Sequence, residues 1–255
     1  KKVVSVNRQL LSILEAYHCP IPLDDMSLAW SALEYPPKID NAGKEVEIQL
    51  EADKIRMMDR LSLQKDQFEK TVEDLQTQVN EASKFGDYDN WETLVETVNN
   101  LMDNITQAKE KGEDFNMREK VFGFAPTDYF ILDKYTEQLQ PFYKLWNMVS
   151  DFHNSKNDWL NGEFKELEGD KIEESVTDWW KTSYKMVKGL EEDYPEAAGV
   201  SQKLRENTTD FRKHLPVIQS LASKALKMRH WEALSELLGK EINPEEDLTL
   251  QGLLD

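Results

Sequence analysis

Phe211 to Gly239 reads FRKHLPVIQSLASKALKMRHWEALSELLG, and the fold class turns on this run. Leu215, Ile218, Leu221, Ala222, Ala225 and Leu226 form an apolar stripe at spacings of three and four, the signature of a helix with one buried face. Trp231, Leu234, Leu237 and Leu238 resume it beyond a basic patch of Lys224, Lys227, Arg229 and His230. Pro216 predicts a break or kink, because proline lacks a backbone donor and crowds the preceding turn. Gly239 falls where a helix C-cap needs a residue able to take positive φ. Two helical runs hinged at a proline are expected.

Upstream, the same spacings recur. Residues 3–16 give a short amphipathic run that Cys19-Pro20-Ile21-Pro22 ends. A brief helix is expected over Asp25–Glu34, stopped by Tyr35-Pro36-Pro37, with a turn at Asp40–Gly43. A long helix is expected from Lys44 to about Lys84, where Leu61, Phe68, Leu75 and Ala82 recur every seven residues. So narrow a seam calls for a partner helix. Gly86–Asn90 turns the chain, and Trp91, Leu94, Val95, Val98, Leu101, Met102 and Ile105 make a second stripe. Residues 44–110 therefore read as a long antiparallel helical hairpin. A dimerising coiled coil is the competing reading of the same heptads.

Lys111-Gly112-Glu113 reads as a break and Pro126 as a helix start. Phe130, Leu132, Tyr135 and Leu139 line the next helix; Pro141 interrupts it, and Phe142, Leu145, Trp146, Val149 and Phe152 resume it. Asp170 and Glu173 have the spacing of a capping box. Ile172, Val176, Trp179, Trp180, Tyr184, Val187 and Leu190 follow, and Tyr194-Pro195 ends that helix. There is no strand alternation of any length and no internal repeat. The fold class is all-α: an elongated multi-helix bundle.

Leu215-Pro216, Ile218, Leu221 and Arg229-His230-Trp231 resemble a signature of the linker region of dynein heavy chains. Leu145-Trp146 with Phe152, then Trp159, then Trp179-Trp180, and the closing Leu248, Leu250, Leu253 and Leu254 resemble further stretches of that family in the same order. The resemblance covers roughly Val121 to Asp255 and fits an axonemal, inner-arm type best. It implies a tail or neck segment over residues 1–120 and the N-terminal part of the linker over 121–255. It also implies a lever that crosses an AAA ring and delivers a power stroke. ATP and Mg would be bound by the parent motor, with no cofactor held in this segment. The implied partners are the AAA ring of the same heavy chain and other dynein subunits, intermediate or light chains. Microtubules would be reached only through the rest of the chain. The implied location is cytoplasmic and cytoskeletal, at the axoneme of a cilium or flagellum. Trp146, Trp159, Trp179, Trp180, Leu215, Pro216, Arg229, His230 and Trp231 are the signature positions, with packing or docking roles and no catalytic one.

Composition sets the remaining bounds. The 255 residues carry 49 acidic and 31 basic side chains, for a net charge of −18. A surface of that sign repels phosphate backbones and anionic lipid, so neither nucleic acid nor membrane is an expected partner. No signal peptide opens the chain, and the single cysteine, Cys19, cannot make an internal disulfide, which suits a reducing compartment. The chain lacks an initial Met and stops inside an apolar pattern, so it is expected to be a piece of something larger.

Chemistry-bearing patterns are sparse. Gly43-Lys44 and Gly239-Lys240 lack the earlier glycine and the hydroxyl of a phosphate-binding loop. His18, His153, His214 and His230 are scattered, without acid or thiol neighbours at metal-binding spacing, so zinc is not expected. Acid pairs such as Glu173-Glu174 and Glu191-Glu192 read as solvated helix faces. Trp179 and Trp180 cannot both enter one core, because adjacent helical positions diverge by about 100°. One of them is expected to face a neighbouring module or a partner. A non-motor helical scaffold or adaptor is the rival function. An enzyme with an unrecognised site is the third.

Overall fold

The computed structural model describes residues 2–223, 225–239 and 248–254. It is all-α, with no strand among the described residues. The helices are α1 (Lys2–Ala16), α2 (Leu23–Ala82), α3 (Trp91–Phe122), α4 (Ile131–Asn161), α5 (Gly169–Leu190), α6 (Pro195–Arg212), α7 (Leu215–Leu221), α8 (Met228–Leu238) and α9 (Leu250–Leu254). Of the expected features, Lys224 and Lys240 lie outside the described residues, as do the side chains of Leu238 and Leu254. Two compact units result, Lys1–Asp66 and Gln67–Asp255.

In the first unit, α1 and the start of α2 flank a cavity lined by Leu11, Cys19, Met26, Trp30 and Leu33. Much of its apolar surface stays exposed, including Ile13, Trp30, Ile39, Val46 and Leu50. Pro36 and Pro37 do not stop α2, which runs through them and through Gly43. Each proline removes one backbone bond, but Ala32 and Leu33, whose carbonyls lose it, are not buried, so solvent can satisfy them. Nothing lies within 4 Å of where a Gly43 Cβ would sit, so no contact forces a turn there.

In the second unit, α4 is the hub, packing against α3, α5, α6 and α9. Leu139, Phe142, Leu145, Trp146, Val149 and Phe152 are each no more than 2% exposed. These residues also explain why Pro141 does not interrupt α4. An interior proline costs about 3 kcal/mol, whereas each fully buried large apolar side chain returns about 1.5–3 kcal/mol. The seam is buried as its spacing requires: Phe68, Leu75, Val79 and Ala82 are at most 5% exposed. Phe68, Leu75 and Gln78 of α2 share a groove with Asn104, Ala108 and Lys111 of α3.

Gly112 does not break α3 either. It is buried, and a Cβ there would lie 2.9 Å from the Tyr129 ring. The residue makes room for an aromatic ring that also meets Phe68 edge-on, with centroids 5.3 Å apart. The expected capping box at Asp170 is absent: Glu168 takes the N-cap without a side-chain cap bond. The helix start is set instead by Gly169, whose Cβ would stand 3.1 Å from Gln219 Cα on α7. Glu173 accepts a hydrogen bond from Gln219 Nε2. Pro216 separates α7 from α6 at its second position, where a missing donor is harmless. Gly239 caps α8 at φ +66, as its place in the sequence requires.

Candidate functional site

Trp159, Trp179 and Trp180 gather where α4, α5 and α6 meet. Phe152 presents its edge to Trp179 at 5.7 Å. Trp179 lies 5.7 Å from Trp159, and Trp159 5.5 Å from Phe211. Trp159, itself on α4, thus meets Trp179 of α5 on one side and Phe211 of α6 on the other, so the rings link all three helices. Offset and edge-on aromatic pairs add about 0.5–1.5 kcal/mol each beyond the area they bury. Trp146 lies deeper on α4, fully buried.

Trp180, one position after Trp179, faces α6 instead. The Arg212 guanidinium stands 4.7 Å over its ring and that of Arg205 5.6 Å away. The two indoles thus diverge as adjacent helical positions must.

The remaining signature residues frame α7 and α8. Leu215 is buried and Pro216 exposed. Pro216, Trp231, Leu234 and Leu253 line a shared cavity of about 480 Å³. Trp231 is buried and meets Phe164 edge-on at 5.8 Å. His230 Nδ1 accepts the Lys227 backbone N–H at 3.0 Å, and the His230 backbone N–H donates to the Lys227 carbonyl. A neutral imidazole has one acceptor nitrogen, so Nε2 carries the proton. The approach of Arg229 Nε to that nitrogen at 3.3 Å is then a contact between donors. Lys227 and Arg229 are exposed.

Sequence reasoning missed a polar cluster. His153 Nε2 lies 3.0 Å from the Tyr88 hydroxyl, which accepts from Asn207 Nδ2 at 3.0 Å. Trp91 stacks on the imidazole at 4.9 Å and 9°. Three sequence-distant segments meet there, and no spacing rule joins them. The arginines over Trp180 were missed too, although Arg205 and Arg212 are seven residues apart on one helix face. Among the described residues, no group of three or more His, Cys, Asp or Glu side chains could hold a metal ion. No helix among them is long and apolar enough to cross a membrane.

Residues 132–255 match the family described as dynein heavy chain, N-terminal region 2. Through these residues the chain belongs to the dynein heavy chains. The match opens in the first turn of α4 and takes in the whole aromatic cluster. The chain is also 25% identical over 248 residues to rat dynein axonemal heavy chain 1, covering 95% of this chain and 5% of that protein. It is 27% identical over 161 residues to human dynein axonemal heavy chain 3, covering 63% of this chain and 4% of the relative. Human dynein axonemal heavy chain 12 is 22% identical over 257 residues, 99% of this chain and 8% of the relative. The chain therefore spans less than a tenth of the length of these curated relatives. All three similarities reach into the first 120 residues, which the sequence motifs left unplaced.

Proposed function

We propose that this dynein heavy chain region is a mechanical element of an axonemal motor, joining the tail to the linker. It would carry displacement generated by ATP hydrolysis in AAA modules elsewhere in the parent chain. Residues 1–120 would belong to the tail or neck and 121–255 to the N-terminal part of the linker. The partners would be the AAA ring of the same chain and other dynein subunits, with ATP and Mg bound outside this segment and microtubules reached through the rest of the motor. Its place would be the axoneme of a cilium or flagellum.

One observation carries the mechanical part: the ring chain from Phe152 through Trp179 and Trp159 to Phe211 ties three helices together. Close-packed interiors have low compressibility and transmit strain. Large side chains interlocked across α4, α5 and α6 oppose relative sliding, which a force-bearing segment needs.

The test is made in the parent heavy chain. Trp179→Ala and Trp159→Ala together are expected to slow microtubule gliding severalfold while ATP turnover per motor persists. Gliding and turnover that fall in parallel would assign these residues to the hydrolytic cycle, and unchanged gliding would remove the mechanical role. The isolated 255-residue chain is expected to show no ATP turnover.

A further inference from the structure

Three cations cluster on the exposed face shared by α5 and α6. Arg212 lies 4.7 Å over the Trp180 ring, Arg205 lies 4.6 Å over Tyr184, and Lys188 stands 4.7 Å over the same Tyr184 ring. The chain carries 49 carboxylate side chains. Yet among the described residues none forms an ion pair with any of these three cations. The Tyr184 phenol is held below its ordinary value, first by hydrogen bonding with Lys188, then by that ammonium's charge and, less, by Arg205.

A stacked guanidinium uses its π face on the ring and keeps its in-plane N–H groups for a ligand. Those donors match a carboxylate, which accepts two of them side by side. The patch is also bounded. Glu173 lies seven residues before Trp180, and Glu191, the C-cap of α5, seven after Tyr184, so an acid stands beyond each end of the patch. Glu206 and Asp210 flank the arginines on α6. A long polyanion crossing the patch would run into these acids, whereas a short segment would not.

We propose that the Trp180–Tyr184–Arg205–Arg212 face docks a short acidic polypeptide segment. Its carboxylates take the outward N–H groups of the two guanidiniums, and Lys188 adds charge at the edge. The aromatic rings hold the guanidiniums in place before the ligand arrives, which lowers the ordering cost of binding.

The experiment titrates the 255-residue chain with an oligoglutamate peptide at low salt, read by calorimetry and by tryptophan fluorescence. Binding is expected, weakening as salt rises. Arg205→Gln with Arg212→Gln should lower affinity by about tenfold or more at unchanged helix content. Should that pair destabilise the α5–α6 packing, Lys188→Gln serves instead, because it changes only an exposed side chain; it should weaken binding measurably. Trp180→Phe should keep calorimetric binding and lose most of the fluorescence response. No binding overturns the proposal, and so does binding that neither the arginine pair nor Lys188→Gln alters. An oligothymidylate that binds more tightly than the peptide at the same salt would reassign the face to nucleic acid. None of these outcomes depends on motor activity, so the mechanical reading stands or falls separately.

Discussion

The imidazole of His153 and the hydroxyl of Tyr88 meet at 3.0 Å, on side chains 65 residues apart. Asn207 Nδ2 donates to the same hydroxyl, whose own proton remains available to His153 Nε2 whenever that nitrogen is unprotonated. Burial, with help from Lys156, lowers the His153 pKa below its ordinary value, against the opposing charges of Asp89 and Glu92. A histidine with a lowered folded pKa takes up its proton first in the unfolded chain. Its stabilising contribution is complete above about pH 6.5 and is lost as pH falls through the folded value. Thermal unfolding followed from pH 7.5 downward should show a loss of stability that begins near the ordinary histidine pKa. His153→Phe should flatten that part of the profile. A profile unchanged by the substitution would remove His153 from the account.

Gly112 and Gly199 sit inside helices, and the same substitution should act on them with opposite sign. At Gly112 a Cβ would lie 2.9 Å from Cδ2 and 3.2 Å from Cγ of Tyr129. That ring is held by Phe68 and cannot swing away freely. Overpacking costs about 1–3 kcal/mol and should exceed the helix-propensity gain of about 1 kcal/mol. Nothing lies within 4 Å of the Gly199 position, so Gly199→Ala should keep that gain whole. Urea midpoints should fall for Gly112→Ala and rise for Gly199→Ala.

The contrast shows how far the sequence can be read. Periodicity located the buried seam of Leu61, Phe68, Leu75 and Ala82, all at most 5% exposed. It also foresaw that Trp179 and Trp180 part company. Both are consequences of helix geometry alone. Punctuation by single residues was misread: Pro36, Pro37, Pro141, Gly43 and Gly112 all lie inside helices. Their local preference was outweighed by burial around Pro141 and by a ring filling the space beside Gly112. Neither is visible before the tertiary neighbours are known. The Tyr88–His153–Asn207 cluster was illegible for the same reason: its members come together only on folding.

Glu119 is 3% exposed and accepts from Thr127 twice, from the backbone N–H and from Oγ1, both at 2.8 Å. These bonds tie the connection between α3 and α4 to α3. Thr127→Val keeps the shape and the backbone donor but deletes the hydroxyl from a buried acceptor. A loss of about 1–3 kcal/mol is expected, seen as a lower urea midpoint at unchanged slope. Thr127→Ser, which restores the hydroxyl, should recover most of it. Equal losses in both variants would mean that the methyl packing, and not the hydrogen bond, stabilises this connection.

Trp146 is 0% exposed, and among the described residues its indole Nε1 has no acceptor. A buried donor left unpaired costs about 1–3 kcal/mol, so part of what the ring gains by burial is offset by its own N–H. Trp146→Phe deletes that donor and some volume together. The cavity it leaves costs stability while the removed donor returns some, and the net change should stay within about 1 kcal/mol. Trp146→Ala should cost about 3–5 kcal/mol, because it empties the centre of α4's packed face. Denaturant unfolding of both variants on one scale separates the two contributions. A phenylalanine variant as unstable as the alanine one would show that the indole N–H is satisfied in solution and stabilises the core.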